Sequence, residues 1–257
     1  MQSLHAAVRG RSGDVLRAVR SAGDRRFVFA LAGVIAVLIV VNLLNKYGPP
    51  HTGLVLGPAV AVGLIAFARR HGLSWDDLGL SRRSWARGAM YAAGAVVLVT
   101  AIYLVGAALP ATRVAFFDVR YRLHLGPTLV TALVIIPFGT VLTEEVAFRG
   151  VLHGLVRRHH GGAWATVSSS TLFGLWHILP SLRLGTVNHA AGAVFGSGIG
   201  AQVLVVAAAV AFTALAGILL CELRRRSGSL LAAAGLHWAT NAVGVIAAAA
   251  LWAAHGA

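Results

Sequence analysis

The hydrophobic positions of the chain fall into long runs that are separated by short polar stretches. A helix needs about 20 apolar residues to cross the hydrocarbon core of a bilayer. Seven runs approach this length, and we expect membrane-spanning helices at residues 27–44, 52–68, 89–109, 128–155, 163–179, 199–223 and 230–253. The pattern predicts an all-α, polytopic transmembrane helix bundle over residues 27–257, preceded by a basic segment at residues 1–26.

The composition supports a membrane protein. Apolar residues make up 58% of the 257 residues and charged residues only 12%, whereas a soluble domain carries about 25% charged residues. Such a chain cannot cover a water-facing surface, which excludes a disordered, collagenous or secreted disulfide-rich protein. The single cysteine, Cys221, excludes an intrachain disulfide and a thiolate metal cluster.

The net charge of +14 is unevenly distributed along the chain. In a soluble protein this excess would suggest a nucleic-acid partner, which we do not expect here. Seventeen of the 22 Lys and Arg residues fall in the amino-terminal segment and in alternate regions between the predicted spans. Because basic loops stay in the cytoplasm, the amino terminus is predicted inside and the carboxyl terminus outside. The same residues are expected to attract anionic lipids.

Two of the three glutamates of the chain lie inside the fourth predicted span. Ionisable groups are costly in a membrane and usually mark function. Glu144 and Glu145 lie roughly 20 Å from the cytoplasmic end of that span. A structural ion pair between Glu145 and Arg149, spaced i,i+4, explains one carboxylate. It does not explain Glu144, which points about 100° away on a regular helix, so we expect a functional role for Glu144.

Polar residues of two further spans fall at a similar depth. The fourth and fifth spans form a hairpin with its turn at residues 159–162, and the midpoint between Glu144 and His177 falls in this turn. Antiparallel helices therefore bring these two side chains to one level. His237 and Asn241 in the seventh span are spaced i,i+4 and share a face. The alternative is a hydrogen-bond network that only holds the bundle together.

These residue types suit hydrolysis. Glu144 as a carboxylate could take a proton from water as a general base, and His177 could orient the same water. His237 and the amide of Asn241 could donate hydrogen bonds to the oxyanion that forms on an attacked carbonyl. Arg149 would then fix Glu145 beside the site.

Zinc is the alternative to metal-free chemistry. Two His, one Glu and a water form a known catalytic zinc set, which here would be Glu144, His177 and His237. No His-Glu-x-x-His motif occurs on one helix, and Asn is a poor zinc ligand. We therefore expect no cofactor and keep zinc as the second possibility.

Three motifs carry a resemblance to a known family. Glu144-Glu145-x-x-x-Arg149, Phe173-x-x-x-His177 and His237-x-x-x-Asn241 look like the three motifs of the CAAX protease and bacteriocin-processing (Abi) family of intramembrane proteases, which includes the type II CAAX prenyl endopeptidases. The resemblance covers roughly residues 73–245. Each motif alone is weak, but all three occur in order and each lies within its own predicted span.

The resemblance implies a transmembrane protease domain over residues 27–257 with its catalytic core at residues 127–245. It implies Glu144 as the catalytic base and His177, His237 and Asn241 as the rest of the site, supported by Glu145, Arg149 and Phe173. The family has been labelled metalloprotease, but its characterised prenyl-protease members resemble metal-independent glutamate enzymes. The implied partner is a peptide or protein substrate at the membrane, prenylated or bacteriocin-like, and the implied location is a bacterial-type plasma membrane.

Two interpretations without peptidase activity stay open. A transporter or proton relay also uses intramembrane Glu and His, although the sequence has neither an inverted repeat nor a pair of matched broken helices. A non-catalytic bacteriocin-immunity or scaffold protein would carry the same residues as a site that has lost its activity.

Overall fold

The computed structural model describes residues 2–255, with side chains described for residues 23–255. Seven longer helices follow one another: α1 (Gln2–Tyr47), α2 (Thr52–Arg70), α3 (Trp85–Ala108), α4 (Leu125–His160), α5 (Gly162–Trp176), α6 (Ile199–Ser227) and α7 (Leu230–Ala254). Short helical turns connect them at Arg82–Ser84, Pro110–Arg113, Val114–Phe116, Val119–Tyr121, Ile178–Ser181, Leu184–Val187 and His189–Phe195. The predicted all-α bundle is confirmed.

Among the described residues, six helices are long and apolar enough to cross a membrane, which makes this a multi-pass membrane protein. They are Gly23–Tyr47 within α1, α2, Arg82–Ala108 around α3, α4, α6 and α7. The predicted fifth span corresponds to α5, which has only 15 residues. The side chains of the predicted basic segment, residues 1–26, lie mostly outside the described residues.

A proline explains why α5 ends at Trp176 instead of continuing through residues 163–179. Pro180 has no backbone N–H, so it cannot donate to the Trp176 carbonyl four residues earlier. The side-chain amide of Asn42 in α1 donates to that carbonyl instead, at 2.9 Å. The chain turns at His177 and resumes a helix at Ile178–Ser181. The break thus leaves Trp176 and His177 at a helix end inside the bundle, with the released carbonyl satisfied.

Small residues let the helices approach closely. α3 packs along α7, α5 along α6, and α2 along the middle of α4. A side chain at Gly235 in α7 would overlap Ala92 in α3, and one at Gly174 in α5 would overlap the backbone at Val210 in α6. Van der Waals contact at small residues is a main source of helix association in lipid, where the hydrophobic effect between helices is weak.

Helix α4 is not regular. Wide π-type turns, with i→i+5 hydrogen bonds, occur at Thr131–Ile135, Pro137–Val141 and Glu145–Leu152. Such turns are rare and are frequently found at functional sites. The last one is buried along its whole length and starts at Glu145, so the two glutamates stand where a regular turn meets a wide one.

The arginines gather at one end of the bundle, which we call the basic end: the carboxyl ends of α2, α4 and α6 and the start of α3. Two arginines that the charge count assigned to this end are instead buried, with exposed fractions of 0% for Arg149 and 4% for Arg224. The Arg224 guanidinium donates to the Arg149 carbonyl at 2.9 Å and to the carbonyls of Asp76 and Asp77. It therefore ties α6 to α4 and to the segment between α2 and α3.

The segment between α2 and α3 at residues 73–80 is packed against the basic end. Leu73 and Leu78 are buried in the core, and Asp77 pairs with Arg157 of α4 at 2.6 Å. Burial alone would raise the pKa of Asp77, but hydrogen bonds from Ser74 and the charge of Arg157 outweigh it and hold that pKa below its usual value. The carboxylate is therefore charged at neutral pH and fixes the segment.

The arginine distribution predicts that the basic end faces the cytoplasm. Two exposed arginines at opposite ends, replaced one at a time as Arg83→Cys and Arg183→Cys, provide a matched test. We expect a membrane-impermeant maleimide to label the position 183 thiol in intact cells, and the position 83 thiol only after the membrane is opened. The parent chain is the control because Cys221 is buried. The reverse pattern would contradict the predicted orientation.

Candidate active site

Glu144 is buried, with an exposed fraction of 5%, and its two carboxylate oxygens differ. The indole N–H of Trp176 donates to Oε1 at 2.9 Å. Oε2 has no hydrogen-bond partner among the described residues and lies 3.7 Å from Nε2 of His237. One oxygen is thus held in place while the other is free to accept a proton.

His237 lies between the two carboxylates of α4. Its Nδ1 is 2.8 Å from Oε1 of Glu145, and the same oxygen accepts a hydrogen bond from Nη1 of Arg149 at 3.0 Å. All three side chains are almost completely buried. The ion pair that the i,i+4 spacing indicates is therefore present, and it also orients an imidazole from α7. The two glutamates do not diverge as a regular helix would require, since both approach one ring.

The ring of Phe173 holds these groups together. The Arg149 guanidinium carbon lies 3.9 Å from its centroid, a distance at which a cation is attracted to an aromatic face. The rings of His177 and His237 contact it edge-on, with centroid distances of 4.6 and 5.7 Å. Phe173 therefore separates the two imidazoles and fixes both.

His177 is oriented by the helix it terminates. Its Nδ1 lies 2.8 Å from the Phe173 carbonyl, which can only accept, so Nδ1 carries the proton and Nε2 is the free nitrogen. The ring lines a cavity of about 480 Å³ together with Glu144, Asn42 and Pro180. Glu144 and His177 thus lie at one cavity, as the hairpin predicts, although the direct partner of Glu144 is the neighbouring Trp176.

Asn241 and His177 line two further cavities together. A polar cavity of about 570 Å³ is lined by His177, Asn241, Thr140 and residues of the end opposite the basic end, including Arg120. An apolar groove of about 500 Å³ is lined by His177, His237, Asn241 and side chains of α3, α5 and α6. His177 borders all three cavities. The structure therefore gathers Glu144, Glu145, Arg149, Phe173 and His237 in direct contact and places His177 and Asn241 on shared cavity walls.

Trp176 and Asn42 belong to this site, and the sequence analysis assigned a role to neither. Both carried a signal. A buried tryptophan N–H usually has a hydrogen-bond partner, and Trp176 lies beside His177 in an apolar run. Pro180 cannot donate a hydrogen bond to the Trp176 carbonyl four residues before it. That carbonyl needs another donor, and the side-chain amide of an asparagine such as Asn42 can supply it.

The proposed zinc ligands do not form a metal-binding group in this arrangement. Within residues 23–255, no three or more His, Cys, Asp or Glu side chains are placed to hold a metal ion. A catalytic zinc needs three protein ligands, and Glu144, His177 and His237 do not form such a set.

Because Oε1 of Glu145 binds both Arg149 and His237, we expect replacement of Arg149 to lower the free energy of unfolding strongly. Replacing the fully buried Arg149 by Met leaves the Glu145 carboxylate without its cation, and breaking a buried pair in this way costs about 3–5 kcal/mol. Denaturant unfolding in detergent should show this loss, and the double variant E145Q/R149M should recover part of it. The control R157M breaks a pair in which Arg157 is 42% exposed, and it should cost at most about 1 kcal/mol. Equal losses in R149M and R157M would contradict this account.

A comparison with protein families gives an independent result. The family described as Type II CAAX prenyl endopeptidase Rce1-like matches residues 126–243. The match runs from the second residue of α4 into α7 and includes the site residues of α4, α5 and α7, whereas Asn42 of α1 lies outside it. Comparisons with curated proteins and with solved structures gave no match. Residues 126–243 are therefore similar to the Rce1-like, type II CAAX prenyl endopeptidase family of proteases.

Proposed function

We propose that the protein is an intramembrane endopeptidase that hydrolyses a peptide bond with water activated by Glu144. The observation that carries the proposal is the carboxylate of Glu144: it is buried in the bundle, held through Oε1 by Trp176, and has no hydrogen-bond partner among the described residues at Oε2, which lies 3.7 Å from Nε2 of His237. A fixed carboxylate with one unpaired oxygen, in a residue that lines a cavity together with His177, is what a general base requires.

The reaction follows from these positions. Glu144 takes a proton from a water molecule in the cavity that it shares with His177, and Nε2 of His177 accepts a hydrogen bond that orients this water. The oxygen attacks the peptide carbonyl carbon and forms a tetrahedral oxyanion. The C–N bond then breaks, and the proton held by Glu144 passes to the leaving amine. No metal takes part in these steps.

His237 and Asn241 would stabilise the oxyanion. They are one turn apart on α7 and line the same groove. The Asn241 amide is a ready donor. With Nδ1 of His237 bound to Glu145, Nε2 donates only when the ring carries its second proton. The cluster of two carboxylates, Arg149 and this imidazolium then has no net formal charge, which lowers the cost of burying it.

Glu145 and Arg149 are positioning residues in this proposal. They touch His237 and Phe173 and not the reacting atoms. Their ion pair sets the direction of the His237 ring, and an active site loses much of its rate when donors shift by as little as about 1 Å.

The surroundings of the site favour a substrate that is partly embedded in the membrane. The apolar groove extends to Phe212 and Leu215 of α6, which are 72% and 66% exposed on the outside of the bundle. The polar cavity is lined by residues near the opposite end from the arginines. Such a substrate would be a prenylated or bacteriocin-like peptide with an apolar attachment or side chain. Its scissile bond would lie at His177, where the two cavities meet.

The variant Glu144→Gln tests the base. It keeps the size of the side chain and an acceptor for Trp176 but cannot take a proton, so kcat should fall about 10²- to 10⁴-fold. The assay uses fluorogenic peptides with and without a prenylated cysteine in detergent micelles. Glu222→Gln is the matched control, since Glu222 pairs only with Arg225 and Arg226 at the basic end. Undiminished cleavage by the Glu144→Gln variant would refute the role of Glu144. Liposome flux without any cleavage by the wild-type protein would instead favour transport.

The variant Asn241→Ala tests the oxyanion donor. Removal of one such donor costs about 10²- to 10³-fold in kcat, and KM should change little because the interaction strengthens only in the transition state. Thr213→Ala is the control: Thr213 lines the same groove, but its hydroxyl donates to carbonyls of its own helix. An equal effect of both substitutions on kcat would assign Asn241 to groove packing.

Chelation separates the metal-free mechanism from the zinc alternative. We expect cleavage to persist after dialysis against a strong chelator and the purified protein to contain no stoichiometric zinc by elemental analysis. Loss of activity on chelation and its recovery with added zinc would reject the metal-free mechanism.

A further inference from the structure

A second cavity system lies at the basic end and shares no lining residue with the cavities around His177. It is a groove of about 780 Å³ between the start of the α1 span and the carboxyl ends of α2 and α4. Three guanidinium groups line it, from Arg26, Arg70 and Arg158, and its wall includes the apolar side chains of Phe29 and Leu155. Cationic and apolar groups therefore face one space.

The positive charge in this groove is not neutralised by the described residues. Arg26 and Arg70 are exposed and have no ion pair or hydrogen bond with any residue of the described range 23–255. Arg158 donates to the carbonyl of Gly72, which carries no net charge. The nearby carboxylate, Asp24, is bound to His159 at 3.0 Å. Among the described residues, an anionic group entering the groove would meet two arginines without an ion-pair partner and a third that is bound only to a carbonyl.

The depth of the groove indicates what kind of anion it fits. Two candidate spans, Thr52–Arg70 and Leu125–His160, end beside it, and the apolar run of α1 starts there at Phe27. These ends mark the level of lipid headgroups, where arginines attract anionic lipids. The side chain of Phe29 is 75% exposed on the outside of α1, directly below the arginines on the span side. A free phosphate would contact only the arginines, whereas a phospholipid would also contact the apolar side chains of the groove wall.

We propose that this groove binds the headgroup of an anionic phospholipid, with the phosphodiester between Arg26, Arg70 and Arg158 and an acyl chain along Phe29. The site is separate from the proposed peptidase site, and it does not depend on that function. The arginines of this groove would then bind a lipid headgroup, in addition to the effect of the basic end on the orientation of the protein in the membrane.

Native mass spectrometry of the full chain, released from micelles that contain equal amounts of phosphatidylglycerol and phosphatidylcholine, tests the site. The wild-type protein should retain one phosphatidylglycerol in preference to phosphatidylcholine. In the variant R26Q/R70Q this retention should fall about 30-fold, since each arginine near the headgroups contributes roughly one fivefold factor in affinity. Both residues are exposed and unpaired among the described residues, so the variant should fold as the wild type does, which circular dichroism checks.

The control variant is R83Q/R87Q, which removes two exposed arginines at the same end of the bundle that do not line the groove. It should retain phosphatidylglycerol within about twofold of wild type. Equal losses in both variants would overturn the proposal in favour of diffuse attraction. No loss in R26Q/R70Q would overturn it as well. Competition by millimolar inorganic phosphate as strong as that by phosphatidylglycerol would show a simple anion site instead of a lipid site.

Discussion

One carboxylate oxygen, Oε1 of Glu145, holds the centre of the bundle together. It accepts from Arg149 of its own helix and lies 2.8 Å from the Nδ1 of His237 of α7. In a medium where an unpaired charge is very costly, neither partner can move away without leaving a buried charge exposed to an apolar environment. The relative position of α4 and α7 is therefore fixed at the depth where Glu144 lies, and the other catalytic candidates are placed with respect to that point.

The second requirement of the site is a helix that stops inside the membrane-spanning region. Pro180 prevents α5 from continuing, Asn42 satisfies the carbonyl that is released, and the helix end presents Trp176 to Glu144 and His177 to the cavities. Irregular backbone at membrane depth is tolerated only where it is buried in protein or lines a polar cavity, and both conditions hold at this break. The His177 ring therefore lines three cavities at this break.

Much of this arrangement was visible in the sequence. Hydrophobic run lengths predicted the bundle, the hairpin midpoint predicted the common depth of Glu144 and His177, and the i,i+4 spacing indicated the Glu145–Arg149 pair. The contact of both glutamates with His237 was not predicted, because helical spacing fixes the direction of the Cα–Cβ bonds only, and the two long side chains approach the ring at different nitrogens. The charge count also includes Arg149 and Arg224, because counting charges cannot distinguish an arginine in water from one that is bound inside the bundle, to a carboxylate for Arg149 and to backbone carbonyls for Arg224.

The central claim is that Glu144 activates water for peptide hydrolysis in the membrane. The most direct test is quantitative mass spectrometry of peptide termini in membranes from cells that express the wild-type protein or its Glu144→Ala variant at equal abundance. The account predicts new carboxyl termini that are present with the wild-type protein and absent with the variant. The same set of termini in both membranes would contradict it.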